Sequence, residues 1–131
     1  GTFQPVKTDN IEDHEIHNEN YSISKSDYEK IIDAKNNNLD IYCVGTTSLR
    51  AIETAYLTGD LSGSTKYFIY PDTKINIPNY LITNFHAPKS SLLSIVACIY
   101  GQQWPSLYEY ALKKGLKFLS FGDAVLFKVH E

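Results

Sequence analysis

Apolar residues in this chain fall into short runs separated by polar turns, and the spacing within each run predicts an element. Tyr28, Ile31 and Ile32 stand at helical spacing behind Ser24, an N-cap residue with Asp27 three positions on, and Asn36-Asn37-Asn38 ends that helix. Ile41 to Val44 reads as a strand running straight into Gly45-Thr46-Thr47-Ser48. Leu49, Ile52 and Tyr56 then predict a second helix from about Ser48, with Arg50 and Glu53 close enough to pair. Gly59 to Ser64 reads as a polar loop, and Tyr67 to Tyr70 as a strand closed by Pro71. Tyr80 to Phe85 is a further strand, emptying into His86-Ala87-Pro88-Lys89-Ser90. Leu92, Leu93, Ile95, Val96 and Ile99 make the next helix apolar nearly all round, the mark of a buried helix.

Pro105 suits the first turn of another helix, which Gly115 closes after Lys113 and Lys114. Phe118 to Val129 predicts two short strands around Gly122-Asp123, where Asp123 suits a plain turn. Residues 1–23 read as irregular, with Thr2 to Val6 the tail of a strand. Strands alternating with helices across short connections predict an α/β fold, layered as an α/β/α sandwich, in one unit without repeats.

Composition adds a few limits. The 131 residues are 43% hydrophobic and 21% charged, ordinary for a globular domain. No apolar run reaches the roughly 18 residues of a membrane span, so no membrane partner is expected. The sequence holds no Met, which predicts a processed chain or a fragment. A net charge of −3 gives no global attraction for a polyanion. Nucleic-acid contact would need a local patch such as Lys113, Lys114 and Lys117, with Lys128, and a solvated surface is the favoured reading of those lysines. Cys43 and Cys98 lie in apolar stretches, as buried reduced thiols do.

Two segments share a design of strand, tight polar turn and helix: Val44 to Ser48 and Phe85 to Ser90. The first amides of such a helix point outward and favour an anion or an electron-rich oxygen. Hydroxyls of Thr46, Thr47 and Ser48 can cap the helix or bind a ribose, carboxylate or phosphate. In open α/β sheets ligands bind at the carboxyl ends of strands, so both turns are expected to face one cleft. His14 and His17 share a face if helical, but too few further ligands accompany them, and no metal is expected. Phe121 and Tyr67 can stack on a base, although aromatic residues of strands are mostly core. No Gly-x-Gly-x-x-Gly turn or P-loop supports a dehydrogenase or nucleotide hydrolase.

Five stretches together resemble one family: GTFQPVKTDNIEDHEIHNENY, VGTTSLRAIET, YFIYP, TNFHAPKSSLL and LSFGDAVLF. In order and spacing they resemble the last third of the S-adenosylmethionine:tRNA ribosyltransferase-isomerases of queuosine biosynthesis, from Gly1 to Phe127. Gln4 stands where a basic residue is common, Ala87 where Leu is usual, and Lys117 where Arg is common. The resemblance implies that residues 1–131 are the C-terminal part of a catalytic α/β domain. It also implies a larger protein, whose inserted β-barrel domain is absent from this sequence.

The implied reaction is cytoplasmic tRNA modification. S-adenosylmethionine serves as co-substrate and ribosyl donor, and no true cofactor is implied. The acceptor is 7-aminomethyl-7-deazaguanine at the wobble position of tRNA, and the products are epoxyqueuosine, adenine and methionine. Such chemistry needs a base beside the sulfonium, a deprotonated amine, and donors for the carboxylate and the departing adenine. His86 is the first candidate for proton transfer, followed by His17 and Asp123. Gly45, Thr46, Thr47, Ser48, Arg50, Asn84, Lys89 and Ser90 are the candidate substrate-binding residues. A non-catalytic adenosyl- or RNA-binding module on the same fold is the alternative.

Overall fold

A computed structural model describes residues 18–87 and 90–129. The elements run β1 (Glu19–Ser22), α1 (Lys25–Asn36), β2 (Tyr42–Val44), α2 (Thr46–Thr58), β3 (Ser62–Thr65), β4 (Tyr80–Asn84), α3 (Leu92–Tyr100), α4 (Trp104–Lys113) and β5 (Ala124–Lys128). They form an α/β fold. β4 is the centre of a three-stranded sheet ordered β2-β4-β5, parallel to β2 and antiparallel to β5. The register sets Val44 beside Ile82 and Asn84 beside Ala124, so β2 and β4 end together.

Side chains alternate across the sheet. On one face Cys43, Leu81 and Phe127 are buried with Leu49 of α2, Val96 of α3 and Ala111 of α4. Val44, Tyr42 and Leu126 on the other face are 66%, 54% and 56% exposed. α1 starts at Ser24, whose hydroxyl accepts from the amide of Asp27 at 3.1 Å, as the sequence predicts. Cys43 and Cys98 are both free thiols, and burial beside Glu53 pushes Cys43 up to about 12. Among the described residues no helix is long and apolar enough to cross a membrane.

The structure differs from the sequence reading in several places. Glu19–Ser22, expected to be irregular, and Ser62–Thr65, expected to be a loop, pair as antiparallel strands β1 and β3. Their sequences lack apolar alternation, and mutual pairing holds them, with Ser64 Oγ donating to Asn20 Oδ1 at 2.6 Å. Tyr67 to Tyr70 forms no strand. Its first carbonyl accepts instead from Arg50 Nε, while Phe68 and Ile69 are buried in a segment without regular structure. α2 begins at Thr46 rather than Ser48, because Gly45 takes the N-cap position. Phe118 to Val129 holds one strand, β5, preceded by a closed loop in place of the other.

Glu53 and Arg50 do not pair. Fully buried Glu53 accepts from the amides of Asn76 and Ile77 at 3.0 and 2.7 Å and from Asn76 Nδ2 at 3.0 Å. Each buried group has found backbone partners instead, as desolvated charges require.

Candidate functional site

The carboxyl ends of β2 and β4 open into a single cavity of about 470 Å³. Gly45, Thr46 and Thr47 line it from the start of α2; Asn84, His86, Ala87 and Ser90 line it from the end of β4 and the turn beyond. Leu119, Ser120 and Ala124 close the third side. The parallel pairing of β2 and β4 brings the two turns to one edge, as expected from the strand-turn-helix design.

Gly45 adopts φ 88° and ψ 147°, a conformation that only glycine takes readily. Its amide donates to the carbonyl of Ile82 at 2.8 Å, and among the described residues no side-chain hydrogen bond is made at the N-cap of α2. The first turn of a 13-residue helix therefore meets the cavity without a side-chain cap, an arrangement suited to anionic or electron-rich ligand atoms.

His86 is buried at the opposite turn. Its Nε2 lies 3.2 Å from Thr83 Oγ1, and its backbone amide donates to the Tyr108 hydroxyl at 3.1 Å. Phe85, next to it, stacks on Phe118 at 5.1 Å and meets the edge of Tyr108 at 5.4 Å. This aromatic cluster fixes the end of β4. Burial pushes His86 down to about 4, so its ring is neutral at pH 7. A neutral imidazole carries one N–H donor and one lone pair, and the Thr83 hydroxyl can serve either.

The remaining candidates divide. Asn84 lines the cavity and donates through Nδ2 to the Asp123 carbonyl at 3.4 Å. Ser90 lines it as well, its hydroxyl accepting from the amide of Leu92 at 3.2 Å. Ser48 faces a different, largely apolar groove beside Ile23, Ile31 and Ile52. Arg50 is buried outside the cavity lining, donating from Nη2 to the Thr65 carbonyl at 3.3 Å and standing 4.0 Å from the Glu19 carboxylate. The Asp123 carboxylate accepts from the Lys117 amide at 2.7 Å and so closes the loop before β5. His17 and Lys89 lie outside the described residues, as does His14. Among the described residues no group of three or more His, Cys, Asp or Glu side chains is placed to hold a metal.

Thr83, Tyr108, Leu119 and Ser120 were not singled out by sequence. Thr83 did carry a signal: it is the polar residue between Leu81 and Phe85 on the core-facing register of β4. Tyr108 and the 119–120 segment are far along the chain, and only the tertiary fold brings them to His86.

A mixed sheet with a glycine-led helix start and a buried histidine at adjacent strand ends defines an α/β protein with a candidate site at its sheet edge. The family model of queuosine biosynthesis proteins matches residues 1–127, and the chain belongs to that family. It is 46% identical over 130 residues to an S-adenosylmethionine:tRNA ribosyltransferase-isomerase from Lachnoclostridium phytofermentans, covering 95% of this chain and 36% of the relative. The corresponding protein of Vesicomyosocius okutanii is 43% identical over 129 residues, with 95% and 38% covered. The crystal structure of an S-adenosylmethionine tRNA ribosyltransferase from Thermotoga maritima superposes with a TM-score of 0.78 at 35% identity, over 82% of this chain and 40% of that one. The chain thus spans well under half the length of the proteins it resembles.

Proposed function

We propose that residues 1–131 form the C-terminal part of the catalytic α/β domain of a cytoplasmic tRNA-modifying enzyme of queuosine biosynthesis. The enzyme transfers and isomerises the ribosyl unit of S-adenosylmethionine onto 7-aminomethyl-7-deazaguanine at the tRNA wobble position, giving epoxyqueuosine, adenine and methionine. S-adenosylmethionine is a co-substrate, and no other cofactor is required. The observation that carries this reading is the convergence of both strand-to-helix turns on one cavity in a chain of this family.

In this reading the N-terminal end of α2 receives a carboxylate or a ribose oxygen, and Asn84 and Ser90 supply further polar contacts. His86 handles a proton. Burial leaves its ring uncharged and free of a competing proton at neutral pH, and a bound carboxylate nearby raises its proton affinity. Lys89, next to this turn in sequence, is suited to the anionic end of the substrate.

The complete domain is a layered α/β/α sandwich, and the bare sheet face carrying Tyr42, Val44 and Leu126 supports that layering. The inserted β-barrel belongs to the remainder of the polypeptide. The test is adenine release from S-adenosylmethionine in the presence of tRNA carrying the aminomethyl deazaguanine. The full-length protein is expected to release adenine, and this chain alone is not, because misplacing a reactant by about 1 Å costs on the order of a hundredfold. Release by the chain alone would refute its incompleteness. A full-length protein that binds the tRNA without releasing adenine would instead be an adenosyl- or RNA-binding module.

A further inference from the structure

Phe121 departs from the expectation that an aromatic residue near a strand is core: its side chain is fully exposed. It stands on the loop between α4 and β5, and that loop is held tightly. The Asp123 amide donates to the Lys117 carbonyl at 2.7 Å, and the Lys117 amide returns a bond of 2.7 Å to the Asp123 carboxylate. The Gly122 amide donates to Leu119 at 2.9 Å, and the Leu119 amide to Phe85 at 2.8 Å, which ties the loop to the end of β4. A Cβ on Gly122 would come within 2.4 Å of the Lys117 carbonyl oxygen, so only glycine closes this turn. Leu119 adopts φ 69°, an unusual conformation for a side-chain-bearing residue, and the surrounding bonds maintain it.

A rigid loop therefore holds a phenyl ring in solvent. Leu119 and Ser120 of the same loop line the cavity, whereas Phe121 is outside its lining. Such a ring suits a group that approaches the cavity from outside. Lys117 opens the loop, and Lys113 and Lys114 end the helix that leads into it. None of the three has a carboxylate partner among the described residues.

We infer that Phe121 is a stacking platform for an unpaired nucleobase of the bound RNA, with Lys113, Lys114 and Lys117 drawing in the phosphates beside it. An exposed aromatic face on a loop that Lys117 opens, after a helix ending in Lys113 and in Lys114, whose ammonium lies 5.6 Å over the Tyr110 ring, matches the demands of single-stranded RNA, whose bases offer a π-face and whose backbone offers charge. This rests on the tRNA-modifying function proposed above.

The test uses the full-length protein and an anticodon stem-loop RNA labelled for fluorescence anisotropy. Phe121→Ala is expected to weaken RNA binding by roughly tenfold to a hundredfold. Affinity for S-adenosylmethionine and the unfolding midpoint should not move. Phe121→Trp should retain affinity, and its added indole emission should be quenched when RNA binds. Lys117→Ala should lower the slope of log affinity against log salt by about one. Unchanged RNA affinity in Phe121→Ala would overturn the stacking role while leaving the proposed function intact. A lower unfolding midpoint would also overturn it, since Phe121 would then pack against the rest of the protein. Failure of the wild-type protein to bind the stem-loop would overturn both readings.

Discussion

The turns at Gly45 and at His86 are built alike and behave differently. Each follows a strand of the same sheet and each opens on the same cavity. At Gly45 the side chain is missing, its own amide is held by the Ile82 carbonyl, and the N-terminal end of α2 lines the space. At His86 the backbone amide is likewise held, by the Tyr108 hydroxyl, and a buried neutral ring lines the space. One turn is suited to holding a ligand by fixed dipoles, the other to moving a proton. A single supersecondary design thus supplies two kinds of group at adjacent positions.

Replacing the side-chain turn should have the larger effect. In the full-length protein His86→Ala is expected to lower the rate of adenine release by about a hundredfold or more, with little change in affinity for S-adenosylmethionine. Equal losses in rate and affinity would mean that the two turns share one binding role.

Acid should also separate them. The unfolded histidine titrates near 6.5 and the folded one at about 4, so between those values the unfolded chain holds more protons. Stability contributed by neutral His86 is complete above pH 6.5 and is lost as pH falls towards 4. The expected loss at pH 4 is about 3 kcal/mol, absent from a His86→Gln variant, and urea unfolding across this range measures it.

The backbone turn should respond more modestly. Gly45→Ala meets no neighbouring atom, since nothing lies within 4 Å of the added Cβ, and strains only the backbone. A loss of about 1–3 kcal/mol in unfolding free energy is expected, with His86 titration unchanged.

These contrasts were partly legible in the sequence. The Ser24 cap, the strand at Tyr80 and the buried helix after Ser91 all announce themselves, because local capping and apolar spacing determine them. Both turns could be placed at strand ends for the same reason. Ser62–Thr65 could not, since its strand conformation depends on Glu19–Ser22, more than forty residues earlier. Tyr67 to Tyr70 has the composition of a strand, yet Arg50 occupies its first carbonyl. Ser48 and Arg50 follow Gly45 closely but point elsewhere, because successive helical positions turn by about 100°. Depressed proton affinity at His86 comes from its burial, a tertiary property that no local pattern reveals.

The order β2-β4-β5 has a consequence for how the molecule is made. Translation delivers Gly45 first and His86 some forty residues later, but β5, the antiparallel neighbour of β4, emerges last of the described elements. Until Ala124–Lys128 has been synthesised, β4 has a free edge, and the loop that closes the third side of the cavity has no strand to lead into. Unpaired edges of this kind are the exposed, association-prone state of a nascent sheet. Assembly of the pocket therefore waits on a strand made well after both turns, whose residues contribute little to the lining.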